Sequence, residues 1–91
     1  METYANIISA IIRHQQMIMG NVAIMQAKSV GGLQIANNEV VSVEGDPKDV
    51  VQELVQKYAA LFGQTSVEEC REAIAEVTPQ PTKDMLPEIL Q

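Results

Sequence analysis

One histidine and one cysteine are present, and they are where side-chain chemistry would start. His14 is the only side chain whose ordinary pKa lies near neutrality. A general base needs a nucleophile or an orienting carboxylate beside it. The helix neighbours of His14 at three and four residues are Ala10, Ile11, Met17 and Ile18, which offer neither. His14 therefore reads as a packed or interface histidine. The competing role is a ligand to a haem or metal lined by Met17 and Met19, against which stands the commoner use of methionine as core filler. Cys70 falls on the apolar stripe of a predicted helix. A reactive thiolate needs a basic or helix-terminal setting, and Arg71 with the nearby helix start supplies only a weak one, so a buried structural cysteine is expected.

The remaining constellations carry no chemistry either. His14 and Cys70 lie on different predicted elements and make no metal-ligand spacing. Glu39, Glu44, Asp46 and Asp49 cluster around one loop, but without the alternating oxygen ligands and terminal bidentate glutamate of a calcium loop. Gly31-Gly32 is followed by neither a lysine nor a helix, so it is not a phosphate loop. Tyr4 and Tyr58 read as core residues with a polar tip. No residue is nominated as catalytic, metal-binding or cofactor-binding. No cofactor is expected, and the expectation is a protein that is not an enzyme.

The elements that would position these residues begin with an apolar stretch, residues 3–28, that contains no proline and only one glycine, Gly20. It predicts one long helix. On a wheel of 100° per residue centred on Ile11, Tyr4, Ile7, Ile8, Ile18, Val22 and Met25 lie within about 60°. The opposite face holds Ala5, Ser9, Gly20, Ala23 and Ala27, flanked by Met17 and Ile24, with Arg13 the only strong charge between Glu2 and Lys28. Small residues let a second backbone approach closely. A rod of about 26 residues is also roughly 39 Å long, against a diameter of about 30 Å for a compact chain of this size. It must overhang, kink at Gly20, or pack on another copy. The candidate interface is Ser9, Arg13, Met17, Gly20, Ala23, Ile24 and Ala27.

Gly31-Gly32 ends this helix. Two alternating stretches, Leu33–Ala36 and Glu39–Val43, flank Asn37-Asn38 and predict a hairpin with Leu33, Ile35, Val41 and Val43 on one apolar face. Asp46 as N-cap and Pro47 at the first helical position open a second helix reaching Phe62. Its apolar face is Val50, Val51, Leu54, Val55, Tyr58, Leu61 and Phe62, and Gly63 closes it. Ser66 with Glu69 has the capping-box pattern and opens a third helix, whose stripe is Val67, Cys70, Ala73, Ile74 and Val77. Residues 79–91 form a proline-containing linker and a short helical tail with Met85, Leu86, Ile89 and Leu90, expected to dock on its own domain or on a neighbour. The predicted fold is α+β in the order α-β-β-α-α, one domain over residues 1–78 followed by this tail.

The totals bound the partners. The net charge is −6, with only six basic residues, which argues against nucleic acid and an anionic membrane surface. The longest uncharged apolar run is too short for a membrane span. Most acidic residues fall in the second half, with Glu68, Glu69, Glu72 and Glu76 clustered on one helix face: a solvated face, or a docking surface for a protein partner, as is the tail 83–91. A single cysteine, unable to pair within the chain, fits a reducing cytoplasm. The favoured expectation is a small cytoplasmic protein-interaction module that self-associates as a dimer or higher oligomer through its N-terminal helix. Two alternatives stand beside it. One is a small-ligand or sensor domain with an apolar pocket lined by His14, Met19 and Met25. The other is an accessory subunit of a larger enzyme.

Overall fold

Helix α1 (Glu2–Met19) stops one residue short of Gly20, and α2 (Asn21–Lys28) starts one residue after it. The computed structural model describes residues 2–36 and 39–91. At 1.5 Å per residue α1 is about 27 Å long, which matches the longest dimension of the molecule, 28 Å. The single rod expected from the sequence is thus two helices, and the break keeps it within the body.

The rest of the order is β1 (Leu33–Ala36), β2 (Glu39–Val43), α3 (Pro47–Phe62) and α4 (Gln64–Ala75), then two 3-10 turns, Lys83–Met85 and Glu88–Leu90. Among the described residues the architecture is α+β, with an antiparallel two-stranded hairpin beside four helices. The expected Asn37-Asn38 turn lies outside the described residues. Leu33 pairs with Val43 and Gln34 with Ser42, but Ile35 pairs with Val40, so Val41 is an extra residue and the strand bulges there. A bulge reverses the in–out alternation beyond it. Val40 and Val43 therefore turn to the core, and Val41, expected on the apolar face, is 65% exposed.

Helix α3 begins as its sequence dictates. The Asp46 carboxylate accepts a hydrogen bond from the Lys48 N–H at 3.0 Å, and Pro47 occupies the first turn. Val50, Val51, Leu54, Val55 and Tyr58 are buried, but Leu61 and Phe62, expected on the same face, are each 48% exposed because α3 runs past the core at that end. Helix α4 starts earlier than expected, at Gln64, directly after Gly63. Ser66 consequently lies inside the first turn, buried, and caps nothing. Val67, Cys70, Ala73, Ile74 and Val77 are buried as the stripe requires.

Gly20 and Gly63 make the same device twice. Their φ/ψ values are 58°/−136° and 64°/−145°. Each donates its N–H to the carbonyl four residues back, at 2.8 Å to Gln16 and 2.7 Å to Ala59. Each carbonyl accepts the N–H three residues ahead, from Ala23 and Ser66, at 3.1 Å. The chain closes one helix and opens the next on a single residue, in a backbone region essentially restricted to glycine.

α1 and α4 run antiparallel. Gln15 reaches Ser66 and Cys70 near the α4 start, while Asn6, Ser9 and Arg13 share a cleft with Glu76, Val77 and Thr78 beyond its end. α2 packs on α3, where the Tyr58 hydroxyl donates to the Ala23 carbonyl at 2.8 Å. The hairpin sits against α1 and α2. The core is aliphatic: Ile7, Ile8, Ile11, Ile12, Val51, Leu54 and Val55 meet between the helices. The tail closes the other end. Leu86 and Leu90 are buried, the Tyr4 hydroxyl donates to the Met85 carbonyl at 3.0 Å, and the Gln80 amide caps the α4 C-terminus at the Ile74, Ala75 and Val77 carbonyls. The tail docks on its own domain.

An added Cβ meets nothing within 4 Å at Gly20, Gly63 or Gly31, but only the first two have positive φ. Gly20→Ala and Gly63→Ala are each expected to lose about 1–3 kcal/mol in urea unfolding, while Gly31→Ala is neutral or gains up to about 1 kcal/mol.

Candidate functional site

The polar side chains of α1 converge on its seam with α4. His14 lies between two carboxylates from that helix: Nδ1 is 2.8 Å from Glu69 Oε1 and Nε2 is 3.1 Å from Glu76 Oε1. These carboxylates raise the imidazole pKa, Glu69 through its hydrogen bond most of all. Partial desolvation pulls the other way, and Glu76 adds to the rise. The neighbours at three and four residues, where the sequence offers nothing, are not the ones that matter. The partners arrive from 55 and 62 residues away. One signal was there to read: Glu69 and Glu76 each directly precede a buried stripe residue, Cys70 and Val77, seven apart and so on one edge of that stripe.

Next along α1, Gln15 is fully buried. Its amide donates to the Ser66 carbonyl at 3.0 Å and to Cys70 Sγ at 3.2 Å. The Gln15 Oε1 and Ser66 Oγ atoms have no hydrogen-bond partner among the described residues. Burial pushes the Cys70 thiol up to about 11, against a smaller lowering by the Gln15 hydrogen bond. It is a neutral core thiol, far from the thiolate that nucleophilic chemistry needs.

Arg13, one residue before His14, borders two open clefts. One of about 400 Å³ lies between α1 and the hairpin, lined by Asn6, Ser9, Ile12, Arg13, Gln16 and Glu39 among others. The second, about 210 Å³, is lined by Asn6, Ser9, Arg13, Glu76, Val77 and Thr78. Asn6, Ser9 and Arg13 border both, spaced for one helix face. Among the described residues Arg13 makes no ion pair.

Of the seven interface candidates, Met17 is 82% exposed, Arg13 and Gly20 are exposed, and Ser9 is half-buried. Ala23, Ile24 and Ala27 are buried by the chain's own core, because the turn at Gly20 rotates α2 onto α3. They offer no surface to a second copy. The methionine-lined pocket does not form from the residues nominated for it. Met19 packs against the core, Met25 is 66% exposed, and His14 turns toward α4. The acidic face is divided: Glu68, Glu72 and Glu76 are exposed, while Glu69 is half-buried on His14.

A different surface is apolar. Gln15 touches Ser66, three residues beyond Gly63, and Tyr58, five before it, touches Ala23, three beyond Gly20. The two helix turns therefore lie at the same end of the molecule. Met17, Ile18, Val22, Met25, Leu61 and Phe62 are all exposed, each within five residues of one of these glycines along the chain.

Among the described residues no three His, Cys, Asp or Glu side chains are placed to hold a metal ion. Glu69 and Glu76 approach opposite nitrogens of the His14 ring rather than a common point. No helix there is long and apolar enough to cross a membrane. Compared with family models, curated proteins and solved structures, the chain matches none.

Two measurements follow from this geometry. Cys70 in the native protein is expected to react with a thiol reagent only as fast as the chain opens, so labelling should accelerate in urea in step with unfolding. The folded state binds the His14 proton more tightly than the unfolded chain, whose histidine titrates near 6.5. The stabilisation is therefore complete below about pH 6.5 and is lost as pH rises through the higher folded-state value. The urea midpoint should fall across that window, and His14→Gln should remove that part of the fall.

Proposed function

We propose that the chain is a small, non-enzymatic protein-interaction module that self-associates through the end of the molecule where Gly20 and Gly63 turn its helices. The observation that carries this reading is the group of exposed apolar side chains there: Met17, Ile18, Val22, Met25, Leu61 and Phe62. Single exposed apolar residues are ordinary; several at one end are the mark of a contact surface. The distribution of charge favours a second copy as the occupant. Two molecules of net charge −6 repel each other. Residues 15–27 and 58–67, which supply or adjoin this surface, contain no Asp, Glu, Lys or Arg. It is a place where identical chains can approach without opposing carboxylates.

Two features support a non-catalytic role. Both nitrogens of His14 are engaged by carboxylates, and Cys70 is buried with its thiol held protonated. The reduced cysteine fits a cytoplasmic setting. A second reading, binding of a small polar ligand, is favoured by the cleft of about 400 Å³ between α1 and the hairpin, which is within the usual range for small-molecule sites.

Sedimentation of the wild-type chain is expected to show a mass above 10.0 kDa that rises with concentration. Met25→Glu and Phe62→Glu alter exposed side chains, so each should keep the wild-type helical far-UV signal and lose only the concentration-dependent part of the melting temperature. Each should also weaken association about tenfold or more, the effect of about 1.4 kcal/mol at a contact. A single 10.0 kDa species at every concentration tested would remove the proposal.

A further inference from the structure

The surroundings of His14 specify a proton count. Its Nδ1 and Nε2 each face a carboxylate oxygen, of Glu69 and Glu76. An ionised carboxylate only accepts hydrogen bonds, and a neutral imidazole has a single N–H. With both carboxyls ionised, both contacts are hydrogen bonds only when the ring is the imidazolium. Placing the same proton on one of the carboxyls instead leaves the count unchanged, so the triad loses one of its two hydrogen bonds on giving up one proton either way.

The two carboxylates are unequal. Glu69 makes the shorter contact from within α4 and is the more enclosed, with 27% of its side chain exposed against 64% for Glu76. Glu76 caps the C-terminus of α4, where the helix dipole disfavours a negative charge. It also lines the cleft of about 210 Å³ that contains Arg13, which makes no ion pair among the described residues. The charged groups in play are Glu69 and Glu76 from α4 and Arg13 from α1. Glu39 of β2 lies across the larger cleft on the far side of Arg13. The charges that act on the ring are those of Glu69 and Glu76.

We propose that His14, Glu69 and Glu76 form a proton-operated latch between α1 and the C-terminal end of α4, which on losing its proton releases Glu76 to Arg13. With the proton, the ring donates to both carboxylates and Arg13 is open to the cleft. Without it, the remaining N–H stays on Nδ1 and donates to Glu69. The Nε2 lone pair then faces the Glu76 carboxylate, and like meets like. Glu76 turns into the cleft, pairs with the Arg13 guanidinium and narrows the opening. One proton passes to solvent, and one hydrogen bond is exchanged for one ion pair. This latch does not depend on self-association.

His14 is the only histidine, so its ring signals are unambiguous. The test is a pH titration of the isotopically labelled full chain, followed by NMR at the His14 ring nitrogens, the Arg13 guanidinium and the Thr78 amide. The expected result is a ring midpoint above that of an unfolded peptide, Nδ1 protonated on both sides of it, and Arg13 and Thr78 shifting with the same midpoint. Glu76→Gln, at an exposed position, should keep the helical far-UV signal, lower the midpoint and abolish the Arg13 response. Glu69→Gln should lower the midpoint further. A merely structural staple would titrate at the ring while Arg13 and Thr78 stay still, and that result overturns the latch. So does a ring midpoint no higher than that of an unfolded peptide.

Discussion

Helix length is the constraint on which this molecule is built. A continuous helix through Lys28 would reach roughly 39 Å, well past a body of 28 × 26 × 20 Å. Its last eight residues would leave Ala23, Ile24 and Ala27 in water. Breaking at Gly20 folds that segment back onto α3, and the Tyr58 hydroxyl secures the return on the Ala23 carbonyl. The same turn at Gly63 brings α4 back along α1. With both turns in place Ile7, Ile8, Ile11 and Ile12 of α1 are covered by α2, α3, α4 and β2 together. The coverage ends where the turns are. A helix pair joined by one residue has no loop with which to shield the last turn, so the side chains there stay exposed. The apolar end is thus a geometric consequence of the economy of the junctions.

Much of this was legible in the chain, and the parts that were not share a cause. Local chemistry dictated α3: Asp46, Pro47 and the three-and-four spacing through Tyr58 all act within a turn or two, and the helix forms as they require. The hairpin strands were legible for the same reason. Gly20 was visible as a kink candidate, but the wheel could not say that the helix would stop there. Whether a glycine is a tolerated helix residue or a turn depends on what the following segment can reach, and that is a tertiary matter. Val41 shows the limit in a strand. Alternation placed it inward, and one extra residue, invisible in the pattern, reversed it. Ser66 and Glu69 had the spacing of a capping box, yet the N-cap fell three residues sooner, at Gly63, and Glu69 was left for His14.

The candidate site was the least legible part, because its partners meet across the α1–α4 seam. Arg13, His14, Gln15 and Gln16 are consecutive, and a helix sends consecutive residues in four directions. Arg13 and Gln16 go to the clefts, His14 to the edge of the seam and Gln15 into it. Along the chain they are four polar residues in an apolar stretch. In the structure they form a graded seam: a buried amide on the Ser66 carbonyl and the Cys70 sulfur, then a half-buried imidazole between carboxylates, then an exposed guanidinium.

That gradient bears on how α1 and α4 find their register. Aliphatic side chains attract without direction and set position only through the fit of their packing. Gln15 adds a directional constraint. Displaced along the seam by one turn, its buried amide would lose both acceptors, and an unsatisfied buried polar group costs about 1–3 kcal/mol. His14 would lose its carboxylates in the same displacement. The apolar core therefore supplies the attraction between the two helices, and two adjacent polar side chains supply the position. The fully buried Gln15 is in this sense a positioning residue within a mostly apolar interior. A leucine there would bury more apolar surface but would mark the register by shape alone.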